Sequence, residues 1–356
     1  MRADEPQLFR RPRGKLRDTR ITLAHGAGGK AMRDLIDDVF VGAFGNAWLA
    51  PLEDQARFSL AALATGGDRL AFTTDSYVVD PLIFPGGDIG SLAVNGTIND
   101  LAVSGARPLY LSCGVIIEEG FDVELLRAIA QSMARTALAA GVQIVTGDTK
   151  VVQRGAADKL FINTTGIGVI PCGVEIAATR ARVGDAIIVN GTLGDHGAAI
   201  LAARKDLALS APIESDCQPL HELVQAMLAA CPDIHCLRDA TRGGLATVLN
   251  ELAQSSGVCM RIEEQRLPVR ETVKGVCEIL GLDPVYMANE GKLAAIVPGV
   301  AATQVVEAMR ALPCGRDAAV IGEVAAAPEG MVVLRTIFGG ERVVDMLVGE
   351  QLPRIC

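Results

Sequence analysis

Five aspartates stand within three residues of a glycine or a small hydroxylated residue, and together they could bind a metal ion and a phosphate chain. They occur in the stretches TTDS, GGDIG, TIND, TGDTK and RDATRGG, as Asp75, Asp88, Asp100, Asp148 and Asp239. Magnesium prefers oxygen ligands and commonly takes a few carboxylates together with phosphate oxygens of a nucleotide. Each aspartate alone is also a common cap or turn residue, above all Asp88 and Asp239. Taken together, the set predicts a site for Mg²⁺ and ATP.

A glycine-rich stretch, HGAGGK at residues 25–30, could surround anionic oxygens with its backbone N–H groups. It is not a Walker A loop, which needs four residues between its glycines and a Ser or Thr after the lysine, where Ala31 stands here. Alone, the stretch fits an ordinary turn equally well. Together with the aspartates, it supports a nucleotide site of unusual type.

The nine cysteines are spread singly, with no C-x-x-C pair. In a reducing cytosol most of them are expected to be small core hydrophobes. The stretch CPDIHC brings Cys231, His235 and Cys236 close in sequence, but its spacing matches no zinc pattern, so a metal role there is disfavoured. Cys356 differs, because it ends the chain in QLPRIC, where an exposed thiol is reactive.

Length and composition limit the fold and the partners. A chain of 356 residues fits two domains, and its 38 glycines, 4% aromatic content and 50% apolar content indicate a small-residue α/β interior. A net charge of −9 argues against a nucleic-acid partner. No apolar run approaches the ~18 residues of a membrane span, so we expect no membrane association and a cytoplasmic location. The basic residues between Arg10 and Arg20 predict a disordered extension over residues 1–20.

Helices and strands alternate after this extension, which predicts an α/β or α+β architecture. In the first half, LAFTTDS reads as a strand that ends in an acidic turn, VQIVT as a strand that ends before GDTK, and KLFINTTGIGVI as another strand. A helix is predicted to follow Asp88 as its N-cap, and a second helix to run from Asp122 to Gly141.

The periodicity fades near residues 171–182, where we place a domain boundary. The second half then has a strand AIIVNG, a helix from Pro219 to Cys231, a turn plus helix in RDATRGGLATVLNELAQSSG, and a strand KLAAIV. The predicted units are an N-terminal domain, a C-terminal domain and a mobile tail, at residues 21–170, 171–345 and 346–356.

The motifs resemble one family in particular. TDSYVVDP, GGDIG, NGTINDLAVSGARP, TGDTKVV, RDATRGGLATVLNE, ANEG and the closing PRIC are similar to the HypE family of hydrogenase maturation proteins. These are carbamoyl dehydratases of the aminoimidazole ribonucleotide synthetase-like, or PurM-like, superfamily. The likeness runs from about His25 to Cys356. The acidic motifs are shared across the superfamily, whereas the terminal PRIC is much more selective.

The resemblance implies an ATP-binding subunit of two PurM-like domains. The N-terminal sheet would pair with that of a second subunit to form a barrel, the second domain would be α/β, and ATP with Mg²⁺ would lie between the domains. Metal or phosphate roles fall on Asp75, Asp88, Asp100 and Asp239. Nucleotide-binding roles are also implied for further residues of the same motifs, namely Gly86, Gly87, Asn95, Asp148 and Thr149.

The implied reaction uses the tail as its substrate. The carbamoyltransferase HypF would load a carbamoyl group onto Cys356, and ATP-dependent loss of water would convert it into a thiocyanate. The cyano group would then pass to iron carried by the HypC–HypD complex, as a ligand for [NiFe]-hydrogenase. Glu290 would remove a proton, best if burial raises its pKa, and Lys150 would stabilise developing negative charge. Without the resemblance, a surface salt bridge and a solvated lysine are the simpler interpretations of these two residues.

Two other functions stay open from the sequence. One is a small-molecule ATP enzyme of the same superfamily, such as a thiamine-monophosphate kinase, a ribonucleotide synthetase or a selenophosphate synthetase. Such enzymes have no use for Cys356, and the first cysteine here, Cys113, lies far from the glycine-rich loop where a selenophosphate synthetase has its reactive residue. The other is a non-catalytic carrier of a thiocarbamate, which would not need the acidic cluster.

Overall fold

The computed structural model describes residues 14–204, 213–349 and 353–356. In the N-terminal half, six strands are present: β1 (Arg69–Tyr77), β2 (Ile83–Phe84), β3 (Gly87–Asp88), β4 (Arg107–Glu118), β5 (Gln143–Val152) and β6 (Leu160–Ile170). Strands β2 and β3 pair with each other, and the other four form a sheet in the order β1, β6, β4, β5. Within this sheet β4 and β5 are parallel, and the other neighbours are antiparallel.

Helices cover one face of this sheet. They are α1 (Lys30–Leu35), α2 (Val41–Phe44), α4 (Ile89–Val103) and α5 (Val123–Ala139), while the short helix α3 (Leu60–Leu63) has no buried residue. Asp88 caps α4 and Asp122 caps α5, as the sequence predicted. Helix α4 is buried on nearly all sides, and a Cβ at Gly96 would lie 2.3 Å from the hydroxyl oxygen of Tyr77. Glycine therefore lets α4 lie directly against β1.

The C-terminal half contains a larger sheet. Its strands are β7 (Asp185–Val189), β8 (Cys236–Asp239), β9 (Cys259–Glu263), β10 (Leu293–Pro298), β11 (Ala319–Ala325), β12 (Val332–Arg335) and β13 (Glu341–Val343). Their order is β13, β12, β9, β11, β7, β10, β8. The helices are α6 (Asp195–Ala203), α7 (His221–Ala230), α8 (Gly244–Ser256), α9 (Glu271–Leu280) and α10 (Ala302–Arg310). Strands β7 and β10 are buried on both faces, with α7 and α10 on one side and α8 on the other, which explains their continuous apolar runs.

The strands and helices named from the sequence are confirmed, with two differences at strand ends. Strand β1 includes Asp75, and β5 continues through GDTK to Val152. Asp75 pairs with Thr164 and Asp148 pairs with Gly114, so ladder pairing overrides the turn preference of these sequences. Both aspartates therefore lie within strands, where their direction is fixed by the pleat.

The start of the described chain also differs from the prediction. Of the extension predicted to be disordered, residues 1–13 lie outside the described residues. Leu16 is buried, and its backbone N–H donates to the Asp38 carboxylate at 3.1 Å. Arg20 forms a β-bridge with Asp122. Residues 14–20 are thus packed on the N-terminal domain, because an apolar side chain and complementary acids hold them there.

Asn99, in α4, joins the two domains. Its side-chain amide donates to the carbonyl oxygens of Gln218 at 3.1 Å and Glu290 at 3.3 Å, and its oxygen accepts from the N–H of Leu220 at 2.8 Å. Because the side chain is buried, these bonds fix α4 against the C-terminal domain. In the CPDIHC stretch, His235 bonds the Asp185 carboxylate at 2.7 Å. Among the described helices, none is long and apolar enough to cross a membrane.

Candidate active site

Three of the predicted aspartates converge between the domains. Asp75 lies on β1, Asp100 on α4, and Asp239 ends β8 of the other domain. The hydroxyl of Thr73 donates to Asp100 at 2.9 Å. Burial, and next the charges of Asp100 and Asp75, raise the pKa of Asp239 to about 7. Burial and the charge of Asp75 also raise the pKa of Asp100. The charge of Asp75 thus reaches both of the other carboxyl groups, so the three lie close together.

Asp100 and Asp239 face open space between the domains. The cavity there has a volume of about 550 Å³, and its walls come from β1 and α4 on one side and β8 on the other. Thr73 and Ser104 line it from the N-terminal domain, and Arg238 lines it from the C-terminal domain. The cleft therefore offers room beside the carboxylates for a ligand with negative charge, provided that a cation accompanies it.

Glu290 lies at the base of the same region. It is 3% exposed, and its Oε1 atom has no hydrogen-bond partner among the described residues. Burial, followed by the charges of Asp216, Asp239 and Asp75, raises the pKa of Glu290 well above its ordinary value. The sequence analysis expected Glu290 to act best as a base if burial raised its pKa, and burial does raise it. The Glu290 carboxyl group therefore holds its proton more tightly than an ordinary carboxyl group does.

A buried ion pair supports the backbone at Glu290. Asp216 accepts the N–H groups of Glu290 at 3.1 Å and Gly291 at 3.2 Å, and the ammonium of Lys292 lies 3.1 Å from the same carboxylate. Burial acts to raise the pKa of Asp216, but the charge of Lys292 and these hydrogen bonds keep it below its usual value. Asp216 therefore remains ionised and holds residues 290–291 in place.

The last four residues lie along the edge of the N-terminal domain and enter the cleft. Val78 donates its N–H to a carboxylate oxygen of Cys356 at 3.0 Å, and Asp80 donates to the carbonyl of Arg354 at 3.2 Å. The Arg354 side chain donates back to the Val78 carbonyl at 2.9 Å and pairs with Asp158. Ile355 is 5% exposed and packs into the N-terminal core. The tail is therefore docked along its whole described length.

Docking places the terminal thiol among the cleft carboxylates. Burial, and then the charges of Glu290, Asp75 and Asp239, raise the pKa of Cys356, against the opposing charge of Arg242. Arg242 also lies 3.9 Å from the Asp75 carboxylate. In the docked position the Cys356 sulfur is thus protonated and close to Glu290. It can present an attached group to the cleft but is a poor nucleophile there.

The glycine-rich motif before α4 has mainly structural contacts. Both oxygens of Asp88 are used by the protein: they accept from Gly90 and Ser91 N–H groups and from the Ser132 hydroxyl at 2.5 Å. Gly86 has a φ of +89°, and a Cβ there would meet the Ser215 backbone at 2.7 Å. The adjacent Gly87 approaches Phe84 similarly, and Asn95 donates to the Cys217 sulfur at 3.4 Å. The metal and nucleotide roles of these residues stay predictions.

Asp148 and Lys150 lie apart from this cleft within one chain. The ladder aligns Asp75 with Thr164, Cys113 and Gly147, and aligned residues share a face of the sheet. Asp148 and Lys150 therefore project from the opposite face, where they pair at 2.9 Å and are each 63% exposed. The structure does not bring Lys150 to Cys356.

Thr149 points to the helix-covered face. It lines a cavity of about 330 Å³ together with Gly28, Gly29 and Gly147, and apolar side chains of α1 and α2 line the opposite wall. Two motifs that were singled out separately in the sequence, HGAGGK and TGDTK, thus meet at one cavity. Their proposed contact with a nucleotide stays a prediction.

Magnesium fits the cleft as a shared ion but not as one enclosed by the protein. Within the described residues, no three His, Cys, Asp or Glu side chains are arranged to hold a metal alone. The carboxyl groups of Asp75, Asp100 and Asp239 nevertheless repel one another, and a cation between them would relieve that repulsion. This agrees with Mg²⁺ chemistry, in which water and substrate phosphate complete the coordination.

Sequence reasoning missed several residues that contact the tail or the cleft. His196 and Arg204 bond tail carbonyls, Asp216 and Lys292 hold Glu290, and Arg242 lies beside Asp75. Arg242 could have been found, because it stands in the quoted RDATRGG motif three residues after Asp239. The other four carried no signal that distinguished them from ordinary core or surface residues.

The fold and the acidic cleft define a two-domain protein of the AIR synthase related class. Residues 53–170 match the family model of the AIR synthase related protein, N-terminal domain, and residues 182–335 match that of the C-terminal domain.

The particular family follows from closer relatives. The chain is 62% identical to a carbamoyl dehydratase HypE of Rhodobacter capsulatus, over 96% of this chain and 99% of that protein. A crystal structure of the hydrogenase maturation protein HypE in complex with ATP has a TM-score of 0.89 and 50% identity, and covers 94% of this chain and 99% of its own. A chain of a HypE–HypF complex structure has a TM-score of 0.76 and 46% identity, and covers 88% of this chain and 99% of its own. The chain belongs to the HypE family of carbamoyl dehydratases, and the resemblance drawn from its motifs is confirmed.

Asp239 should make stability depend on pH. The pKa of Asp239 in the folded protein, about 7, exceeds the pKa of an ordinary aspartate in the unfolded chain. The bound proton therefore stabilises the fold at low pH, and this contribution is lost as the pH rises from the ordinary aspartate pKa through about 7. Asp239→Asn cannot ionise, and we expect it to raise the free energy of unfolding at pH 8 by about 2 to 4 kcal/mol in metal-free protein. Urea titrations at pH 5 and pH 8 measure this, with the exposed Asp68→Asn as control. An unchanged pH dependence in Asp239→Asn would contradict the expectation.

Substitutions of Asp88 separate its cap role from a metal role. Asp88→Ala removes the acceptor for three hydrogen bonds, so we expect it to lower the free energy of unfolding by about 1 to 2 kcal/mol without metal. Asp88→Asn keeps one oxygen and should retain most of that stability. Asp122→Ala, which removes the cap of α5, serves as the matched control in the same denaturation series. Full stability of metal-free Asp88→Ala would show that the cap is not its main role.

Proposed function

We propose that this protein removes water from a carbamoyl group attached to its own Cys356, in an ATP-dependent reaction that leaves a thiocyanate. The thiocyanate would supply the cyanide ligand for the iron of a [NiFe]-hydrogenase. The observation that carries the proposal is the docked tail, in which Val78 holds the terminal carboxylate and the charges of Glu290, Asp75 and Asp239 reach the Cys356 thiol. A protein that acted only on free small molecules would have no reason to enclose its own C-terminus.

ATP is proposed to bind in the interdomain cleft. A HypE relative has been crystallised with ATP, and the cavity here is bordered by Asp100 and Asp239. Asp75, Asp100 and Asp239 would hold Mg²⁺ together with the phosphate oxygens of ATP. The ion would supply positive charge next to the phosphoryl group during transfer. Asp88 is the weakest of the four proposed metal ligands, because three protein donors already bond its carboxylate.

The reaction balances as two steps on the S-carbamoyl group. In the first, the carbamoyl oxygen forms a bond to the γ-phosphorus of ATP, the bond to ADP breaks, and one N–H proton is lost. In the second, the carbon–oxygen bond breaks, phosphate leaves with that oxygen, and loss of the other N–H proton forms the carbon–nitrogen triple bond. The net change is transfer of the elements of water from the carbamoyl group to ATP, giving ADP and phosphate.

Glu290 is the proposed acceptor of the N–H protons. Its Oε1 atom is buried without a partner among the described residues, so it is not occupied by a competing donor. Asp216 holds the backbone at Glu290 and at Gly291, which fixes the direction of the carboxyl group. The raised pKa of Glu290 makes it a stronger base than an ordinary carboxylate, so transfer of an N–H proton from the carbamoyl group to Glu290 costs less free energy.

The open face of the N-terminal sheet is the proposed dimer surface. Leu70 and Phe72 of β1 are exposed hydrophobic residues, with exposed fractions of 54% and 71%. Phe72 aligns with Ile167 and Tyr110 on the face that also carries Asp148 and Lys150. Two such faces packed together would bury these apolar side chains, which a monomer leaves in water. In that homodimer, Asp148 and the proposed catalytic Lys150 would act at the subunit interface.

HypF is the proposed source of the carbamoyl group, because a HypE relative forms a complex with HypF. The HypC–HypD complex is the proposed acceptor of the cyano group on iron. Since the docked Cys356 is protonated and partly buried, HypF would have to meet it in another tail position. The mobile tail predicted from the sequence satisfies that requirement.

Substitution of Glu290 tests the proposed reaction. The full-length protein, carbamoylated by HypF, is incubated with Mg-ATP, and the mass of the C-terminal peptide is followed in a single turnover. We expect loss of one water from this peptide, with release of ADP and phosphate. Glu290→Gln should slow the loss about 100-fold or more, as expected when a general base is removed. Glu341→Gln, at an exposed carboxylate on β13, should react like the wild type.

The alternatives predict different masses and products. A non-catalytic carrier would keep the carbamoyl group unchanged with ATP bound. A small-molecule enzyme would hydrolyse ATP only with another substrate and would be indifferent to Cys356→Ala. Either result would overturn the proposal.

A single substitution on the open sheet face tests the dimer. Phe72→Asp should place a charge in the proposed apolar contact, and we expect a monomer by light scattering together with at least about tenfold slower water loss. Phe338→Asp makes the same chemical change at a side chain that is 93% exposed elsewhere, and it should remain dimeric. A dimeric and active Phe72→Asp would exclude this face.

A further inference from the structure

His196 makes a contact with the tail that the reaction as described does not use. It is the second residue of α6, and its ring is completely buried. Its Nε2 atom lies 2.7 Å from the carbonyl oxygen of Ile355. A carbonyl oxygen only accepts hydrogen bonds, so Nε2 must carry the hydrogen. The bond therefore reaches the peptide group that joins Ile355 to Cys356.

The other ring nitrogen fixes the direction of this bond. Nδ1 lies 2.8 Å from the Ser215 hydroxyl and, because the hydrogen is on Nε2, it accepts from that hydroxyl. The Ser215 oxygen accepts in turn from the N–H of Cys217 at 3.1 Å. A chain of aligned donors thus runs from Cys217 through Ser215 and His196 to Ile355. Burial lowers the pKa of His196, which favours the neutral form that this chain requires.

Packing holds the His196 ring in this orientation. The Phe84 ring meets it edge to face, with 5.5 Å between centroids and an interplanar angle of 87°. Phe84 belongs to β2 of the N-terminal domain, whereas His196 belongs to the C-terminal domain. The imidazole is therefore held by contacts from both domains in addition to its bond with the tail.

The other tail contacts act further from the thiol or at the chain end. Arg204 donates to the carbonyls of Pro353 at 2.6 Å and Arg354 at 2.9 Å, and Val78 bonds the terminal carboxylate. Among the described residues, His196 provides the side chain that bonds the last peptide carbonyl before Cys356. The plane of that peptide determines where the Cys356 side chain points.

We propose that His196, oriented by Ser215, is the positioning residue that turns the last peptide group of the docked tail so that the modified sulfur of Cys356 faces Glu290. It does not take part in the chemistry, since its two nitrogens are occupied by Ser215 and Ile355. The effect of His196 on the reaction rate rests on the proposed function, whereas its hydrogen bond to the tail can be tested without any reaction.

Two substitutions distinguish donation of the hydrogen bond from simple packing. His196→Leu keeps an apolar side chain of similar size but removes the donor. His196→Gln keeps an N–H donor near the position of Nε2. His221→Leu, at a partly buried histidine that begins α7 away from the tail, is the matched control for loss of a histidine. Thermal unfolding of all four proteins confirms that they fold.

The first readout is alkylation of Cys356 in the full-length protein, followed at the C-terminal peptide by mass spectrometry. Docking leaves this thiol only partly exposed, so we expect His196→Leu to be alkylated about tenfold faster than the wild type, the change expected for losing one buried hydrogen bond. His196→Gln should stay within about threefold of the wild type, and His221→Leu should equal it.

The second readout is the single-turnover loss of water from the carbamoylated tail. His196→Leu should be slowed about 10- to 100-fold with unchanged ATP affinity, and His196→Gln should recover most of the rate. Equal alkylation in folded His196→Leu and wild type would overturn the inference, as would a His196→Gln as slow as His196→Leu. If the wild type itself loses no water, the proposed function fails, while the alkylation series still decides the role of His196.

Discussion

Repulsion among buried carboxyl groups is the constraint on which the cleft depends. Asp75, Asp100, Asp239 and Glu290 come from both domains, and the charges of neighbouring carboxylates make Asp100, Asp239 and Glu290 harder to ionise. Such a cluster drives the domains apart unless other contacts hold them. Asn99 supplies one, with three hydrogen bonds from α4 to the C-terminal domain. The buried pair of Asp216 and Lys292, both in the C-terminal domain, holds the backbone at Glu290 in place within that domain. The fold thus maintains an arrangement of charge that would be unstable alone, and that charge is what a magnesium nucleotide would neutralise.

The same cluster determines the chemistry of the tail. Carboxylates around Cys356 oppose formation of a thiolate, which suits a sulfur that already carries a carbamoyl group and would be harmful in one that must attack. Loading and conversion therefore need different electrostatic surroundings. A C-terminal segment can meet both needs by changing place, whereas a cysteine within a strand or helix could not.

The sequence predicted four of the helices, α4, α5, α7 and α8, and five of the strands, β1, β5, β6, β7 and β10, because capping and apolar periodicity are local properties. It also singled out the acidic residues of the cleft through their motifs. It did not predict that Asp148 and Lys150 lie on the opposite face from Asp75. Which face a strand residue occupies depends on register with strands far along the chain, and GDTK resembled a turn. The tail contacts were also inaccessible, since His196 and Ile355 are separated by 159 positions and Arg204 and Arg354 by 150. The PRIC motif indicated what the tail does but not what holds it.

Arg354 has a left-handed backbone, with φ of +53°, which a residue with a side chain adopts at a cost of about 1 kcal/mol or more. Its bonds to Val78 and Asp158 offset that strain only while the tail is docked. In solution the segment can relax, so this strain favours release of the tail against the contacts that hold it. Because each chain carries one copy of its own substrate, throughput depends on how often that copy leaves and returns. If the tail bound the cleft too tightly, it could not leave to be loaded again, and each subunit would complete only one turnover.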